Sequence, residues 1–176
     1  EGGFTIQRTW SLSDNCGNPA ADQVQTITIR DNTAPTFTRP ADKEIYTDAN
    51  CDYDITVGNV GDVTDEADNC STGIQATFSD AAPVAIVGCE GGFTIQRTWS
   101  LSDNCGNSAD DQVQTITIRD NTVPTFTAPD DITIYTDADC NYDITVGNVG
   151  DVTDEADNCS TGIEAQYSDA TPVAIV

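Results

Sequence analysis

The stretch EGGFTIQRTWSLSDNCGN runs from Glu1 to Asn18 and returns unchanged from Glu90 to Asn107. In the second copy Phe93, Ile95, Trp99 and Leu101 alternate with Thr94, Gln96, Thr98, Ser100 and Ser102. A period of two places alternate side chains on opposite faces of a strand, so this stretch reads as β with one apolar face. Arg97 interrupts that face and is expected to lie along Trp99 or to pair with a carboxylate. The shift of 89 from Glu1 to Glu90 also carries Cys16 to Cys105, Cys51 to Cys140 and Cys70 to Cys159. Between 1–87 and 90–176, 13 of 87 positions differ, among them Arg39/Ala128, Lys43/Ile132, Asp52/Asn141 and Phe78/Tyr167. A fixed period of this kind is the mark of a tandem array.

Working outward, Gln112–Arg119 reads as a second strand, with an apparent change of apolar parity between Val113 and Ile116 that suggests a bulge. Tyr53-Ile55-Val57, Ile74-Ala76-Phe78 and Val84-Ile86 supply further short alternating runs. Asn59-Val60-Gly61, Ser71-Thr72-Gly73 and Cys105-Gly106-Asn107 are turn signals between them. No stretch carries a sustained 3.6-residue period. About seven short strands in a unit of this size predict an all-β, immunoglobulin-like sandwich, repeated in tandem as an extended rod. Asp31-Asn32-Thr33-Ala34-Pro35 and its copy Asp120-Asn121-Thr122-Val123-Pro124 suit interdomain joints, because proline lacks a donor and keeps the residue before it extended. The expected organisation is the C-terminal part of one repeat at 1–31, a complete module at 32–120, and the N-terminal part of the next at 121–176.

The charge balance is 30 acidic against 6 basic residues, a net −24. Such a surface disfavours nucleic acid and anionic lipid, which are bound through Lys and Arg. No apolar run approaches the length of a membrane span, so direct insertion is not expected. Seven cysteines without a histidine or a Cys-x-x-Cys pair favour disulfides over zinc, and hence a secreted protein. Catalysis is not expected: with no histidine and bridged cysteines, only carboxylates could move protons.

Cys51, Cys70, Cys89 and Cys105 fall in the complete module and allow three pairings. If Tyr53–Val57 is strand B and Phe93–Leu101 strand F, Cys51 and Cys89 precede these strands while Cys70 and Cys105 follow them. That topology favours Cys51–Cys89 and Cys70–Cys105, with Cys51–Cys70 and Cys89–Cys105 as the local alternative. Cys16, Cys140 and Cys159 would then pair outside residues 1–176.

Acidic residues gather in loops. Asp62, Asp65, Glu66 and Asp68 lie after the expected strand B, Asp103 after strand F, and Asp31 with Asn32 at the joint. The same topology brings these oxygen-rich segments to one end of the module, where neighbouring repeats of the chain meet. Calcium takes six to eight oxygen ligands, so a calcium ion at each joint is expected on Asp31, Asn32, Asp65, Glu66, Asp68 and Asp103. Asp120, Asp154, Glu155 and Asp157 are the corresponding residues one repeat on. The competing reading is a solvated acidic surface. A second cluster, Asp48, Asp52 and Asp54, has Asn141 in place of Asp52 in its copy, which favours solvated surface there.

The segments TITIRDNTAPTFT, IYTDA, GDVTDEADNCSTG and RTWSLSDNCGN together resemble the HYR-like repeats of giant Bacteroidota cell-surface adhesins. The likeness extends over all 176 residues. It implies type IX secretion, attachment at the outer membrane, and adhesive filaments that the gliding machinery moves along the cell to serve gliding motility. It also implies contact with an external surface or polysaccharide through regions outside this stretch. The alternative is a secreted module whose own loops bind a glycan or protein.

Overall fold

The computed structural model describes residues 3–173. The chain is almost entirely strand and irregular structure, with seven strands and two single-turn helices among those residues. The strands are β1 (Phe4–Trp10), β2 (Gln23–Ile29), β3 (Lys43–Tyr46), β4 (Thr77–Asp80), β5 (Val84–Ala85), β6 (Phe93–Ser100) and β7 (Gln112–Arg119). The helical turns are α1 (Val57–Val60) and α2 (Val146–Val149). β1 and β2 form a two-stranded antiparallel sheet. The other sheet has the order β3-β7-β6-β4, with β5 also on β6.

Two compact units are formed. One comprises Glu1–Glu44, Asp54–Val84 and Thr94–Thr117, the other Ile45–Tyr53, Ala85–Phe93 and Ile118–Val176. In the first, β6 turns Ile95, Arg97 and Trp99 inward, with Leu101 continuing the series just beyond the strand. Trp99 is 0% exposed and forms the core with Phe37, Val63 and Leu101, with Val57, Ile74, Ala76 and Ala109 packed against it. Phe37, Val57, Val63, Ile74 and Ala76 all lie outside the strands, so the layer covering this face of the sheet is largely irregular chain. The alternating run Tyr53-Ile55-Val57 forms no strand. Its last residue opens α1, which Gly61 ends with φ +102°. β7 lies between β6 and β3, a strand built on Lys43–Tyr46.

Two polar residues organise the core. Arg97 is 1% exposed, and its Nε and Nη2 donate to Asp80 Oδ1 and Oδ2 at 2.7 and 2.8 Å. Its guanidinium carbon lies 3.9 Å from the centroid of the Phe78 ring, and Nη2 also reaches the Ile55 carbonyl at 2.8 Å. The expectation of a carboxylate partner is met, with Phe78 as the ring beneath the cation. The expected bulge in Gln112–Arg119 is absent, because the inward residue before Ile116 is Gln114 and Val113 faces out. Gln114 accepts from Trp99 Nε1 at 3.2 Å and donates to the Ala41 and Val60 carbonyls at 2.9 Å each. A hydrophobicity pattern misreads a fully bonded glutamine as a break in register.

Removing one partner of a buried ion pair strands the other charge, a loss of about 3–5 kcal/mol. Asp80→Ala is therefore expected to lower unfolding free energy by about 3 kcal/mol in urea titrations. Trp99→Ala is expected to cost about 3–5 kcal/mol.

Candidate metal centre and the cysteine cluster

A five-residue loop recurs four times, at Asp14–Asn18, Asp48–Asp52, Asp103–Asn107 and Asp137–Asn141. In each, Oδ1 of the leading aspartate accepts the backbone N–H groups two and four residues on, at 2.7–3.0 Å. The leading N–H closes the loop on the carbonyl of the fifth residue. The fourth position has positive φ in every case: Gly17 at 88°, Cys51 at 62°, Gly106 at 91° and Cys140 at 64°. Two of these loops thus place a cysteine where glycine is the relaxed choice. The fifth position always serves through its backbone, so Asp52 can stand there, and where it is asparagine (Asn18, Asn107, Asn141) its Nδ2 also donates to Oδ2 of the leading aspartate, at 2.8, 2.7 and 3.3 Å. Asp48 is accordingly a loop-closing residue, and Asp54 accepts the Thr56 N–H at 2.8 Å.

The carboxylates expected to bind a cation divide into two kinds. Asp65 accepts the Thr38 N–H at 2.9 Å and Glu66 the Ala76 N–H at 3.2 Å, while the corresponding Asp154 and Glu155 accept from Thr127 and Ala165. These four tie loops together. Asn32 is exposed beside Asp31. Asp31, Asp68 and Asp103 do converge, with one carboxylate oxygen from each lying within 4.8 Å of the others. Asp31 Oδ2 and Asp68 Oδ1 are shielded from solvent and have no hydrogen-bond partner. The remaining oxygens hold the site's frame: Asp31 Oδ1 accepts from Thr33, and Asp68 Oδ2 from the Cys70 and Ser71 N–H groups. Asn107 Nδ2 links Asp103 Oδ2 at 2.7 Å to the Asp31 carbonyl at 3.3 Å. Asn107 and Ser71, whose Oγ accepts from the Asn104 N–H, read from sequence only as turn residues and not as part of the site. The repeated Asp-x-x-x-Asx spacing was the available signal.

Three carboxylates, two of them presenting an unbonded oxygen, suit a hard, oxygen-seeking cation. In the other unit Asp157 keeps the same geometry, with Oδ2 on the Cys159 and Ser160 N–H groups and Oδ1 shielded and unbonded. Asp120 there accepts from Thr122 and Thr47. The Asp68 carboxyl is held below the ordinary aspartate range by the Cys70 N–H, against burial and the neighbouring Asp103 charge. Burial pushes Asp103 upward, but the side-chain and backbone donors of Asn107 and the N–H groups of Cys105 and Gly106 outweigh it, and its pKa is lowered.

The cysteines differ from the pairing expected. Cys51 bonds Cys159 across 108 residues of sequence, while Cys16, Cys70, Cys89, Cys105 and Cys140 form no disulfide within residues 1–176. Neither Cys51–Cys89 nor Cys70–Cys105 forms, and Cys159 finds its partner within the chain. The expected pairing relied on a strand B at Tyr53–Val57, and that strand does not exist. Residues 158–161 instead lie along the Asp48–Asp52 loop and Glu90: Asn158 Nδ2 donates to the Asp48 carbonyl at 2.8 Å and the Thr161 N–H to Glu90 at 2.6 Å. Cys89 stays close. A Cβ on Gly92 would stand 2.8 Å from its Sγ, and one on Gly91 2.6 Å from the Cys159 Sγ and 2.9 Å from that of Cys51. Comparisons with protein-family models, with curated proteins and with solved structures find no match for this chain.

Peptide mapping under non-reducing conditions is expected to recover Cys51 linked to Cys159. A loop of this length is worth about 4–5 kcal/mol on the chain-entropy account, so Cys51→Ser should lower the denaturation midpoint strongly. Gly91→Ala should do the same by preventing closure, since φ there is +71° and the added carbon meets both sulfurs.

The sign of the pH dependence follows from the depressed folded-state pKa values of Asp14, Asp68, Asp103 and Asp137. Their contribution is fully present above the ordinary value of 3.8 and disappears as pH falls through the lower folded values. Denaturation midpoints should hold between pH 5 and 7 and fall steeply below about pH 4. Asp14→Asn and Asp103→Asn together should flatten that fall.

Proposed function

We propose that this chain is a repeat region of a secreted cell-surface adhesin, serving as the structural and adhesive stalk of a filament rather than as an enzyme. On this reading the 89-residue unit is an immunoglobulin-like module and successive units form a rod. The observation that carries it is covalent: Cys51 of one sequence repeat is bonded to Cys159 of the next. A bond between consecutive repeats limits how far a stalk can lengthen under load, a constraint of little use to a soluble catalyst. The near-identity of the copies favours mechanical repetition in the same direction. The resemblance to HYR-like adhesin repeats supports secretion, surface attachment and a part in gliding. No helix among the described residues is long and apolar enough to cross a membrane, so attachment on this reading falls to other regions.

Calcium is the proposed ligand of Asp31, Asp68 and Asp103, supported by the two shielded, unbonded oxygens. The ion would neutralise crowded carboxylates, with carbonyls and water completing its coordination.

Three experiments test these proposals. Stretching single molecules by their termini should show a contour shortened by the disulfide-closed segment, roughly 360–390 Å for 108 residues, and released on reduction. A chain that opens to full length without reductant would remove the mechanical argument. Titration with calcium should raise the melting temperature, and Asp31→Asn should abolish the rise while leaving the metal-free temperature nearly unchanged. Absence of any calcium effect would leave the cluster as an acidic surface. Strong binding of the isolated chain to a glycan array would favour the loop-binding alternative.

A further inference from the structure

The aspartate-led loops share one backbone frame but differ in what their fifth side chain reaches. In the Asp48 loop that residue is Asp52, which closes the loop through its carbonyl and its N–H. In the Asp137 loop it is Asn141, whose Nδ2 lies 3.3 Å from Oδ2 of its own aspartate and meets no second acceptor among the described residues. Asn107 in the Asp103 loop does more. Its Nδ2 donates to Asp103 Oδ2 at 2.7 Å and also to the Asp31 carbonyl at 3.3 Å, 76 residues away in sequence. An amide NH2 carries two protons, and here one serves the loop while the other ties it to a distant segment.

That tie falls at the carboxylate cluster. Asp31 Oδ1 accepts the Thr33 N–H at 3.0 Å and Asn69 Nδ2 at 3.4 Å. Oδ2 is left shielded and unbonded, as is Asp68 Oδ1. Asp103 is 8% exposed, and both its oxygens accept donors from its own loop. The Asn104 N–H on Ser71 Oγ, at 3.2 Å, brings the turn after Asp68 against the same loop. Carboxylates gathered in this way repel one another, so the Asp31 segment and the Asp103 loop need a bond between them to stay in register. The second proton of Asn107 supplies it.

We propose that Asn107 is the positioning residue of the Asp31–Asp68–Asp103 site, holding Asp31 and Asp103 at the separation a divalent cation requires whether or not one is bound. This rests on reading the cluster as a calcium site. Groups that orient metal ligands without touching the metal are worth about 10–100-fold in affinity. Loop closure is a separate matter, because Asp52 shows that the frame forms without an amide at the fifth position.

The test uses the whole chain with calcium chloride as the probe. It follows the binding step that Asp31→Asn removes, by titration calorimetry and by the calcium-induced rise in melting temperature. Asn107→Ala should weaken that step roughly 10-fold or more. Asn107→Ser, whose hydroxyl is too short to span both acceptors, should do the same. Asn141→Ala breaks the equivalent bond within a loop and should leave calcium affinity unchanged. The readout is the rise over each variant's own metal-free temperature, so a less stable variant still reports. A parent chain with no calcium response sinks the calcium reading and this inference with it. A parent that responds, beside Asn107 variants that respond equally, overturns the positioning role alone. So does an equal loss in Asn141→Ala, because that side chain has no contact with Asp31.

Discussion

The contact on which the first unit depends is the grip of Asp80 on Arg97. A guanidinium buried to this degree would be prohibitively costly alone. It is stable because both oxygens of one carboxylate, a backbone carbonyl and an aromatic face converge on it. Those groups come from β4 and from the irregular segment before α1, and the guanidinium from β6, so the ion pair fixes separated segments around one point. Gln114 acts alike from β7, using both ends of its amide to join Trp99 to the carbonyls of Ala41 and Val60. The covering layer contains little regular structure. Its backbone groups must find partners outside a ladder, and buried polar side chains supply several of them.

The same economy explains a net charge that first reads as a liability. Carboxylate after carboxylate accepts main-chain N–H groups in turns and loops: Asp14, Asp48, Asp103 and Asp137 each close a five-residue loop, Asp68 holds the turn that follows it, and Asp65 and Glu66 tie one segment to another. An anion with two or three amide donors is stabilised where it stands. Much of the acidity is thus structural, distributed through irregular chain that lacks enough ladder to satisfy itself. What remains, Asp31 Oδ2 and Asp68 Oδ1 beside Asp103, stands out against that background because neighbouring carboxylate oxygens are so well provided with donors.

Legibility in the sequence followed the physical range of each signal. The strands of the Phe93 and Gln112 runs were readable because alternation is local and the face they bury is broad. Tyr53-Ile55-Val57 alternates as clearly but lies outside the ladders, and no local pattern distinguishes a strand from extended chain draped over a core. The convergence of Asp31, Asp68 and Asp103 was partly legible, since clustering in loops survives errors in strand assignment. Asp65 and Glu66 were indistinguishable from them by type and spacing, because their roles are set by the Thr38 and Ala76 amides. Cysteine pairing failed for the same reason as strand B: a topological argument inherits every error in the topology. Glu90-Gly91-Gly92 was a missed clue, since two consecutive glycines give three sulfurs room to approach one segment of backbone.

Sequence repeats and compact units do not coincide. The second unit takes Ile45–Tyr53 and Ala85–Phe93 from the repeat that begins near Asn32, together with Ile118–Val176. β3, β6 and β7 each contribute residues to both units. Cys51–Cys159 closes within the second unit while joining two sequence repeats, and it therefore reinforces a unit that the repeat period alone would divide. The periodicity lies in the sequence, and the compact units are offset from that period.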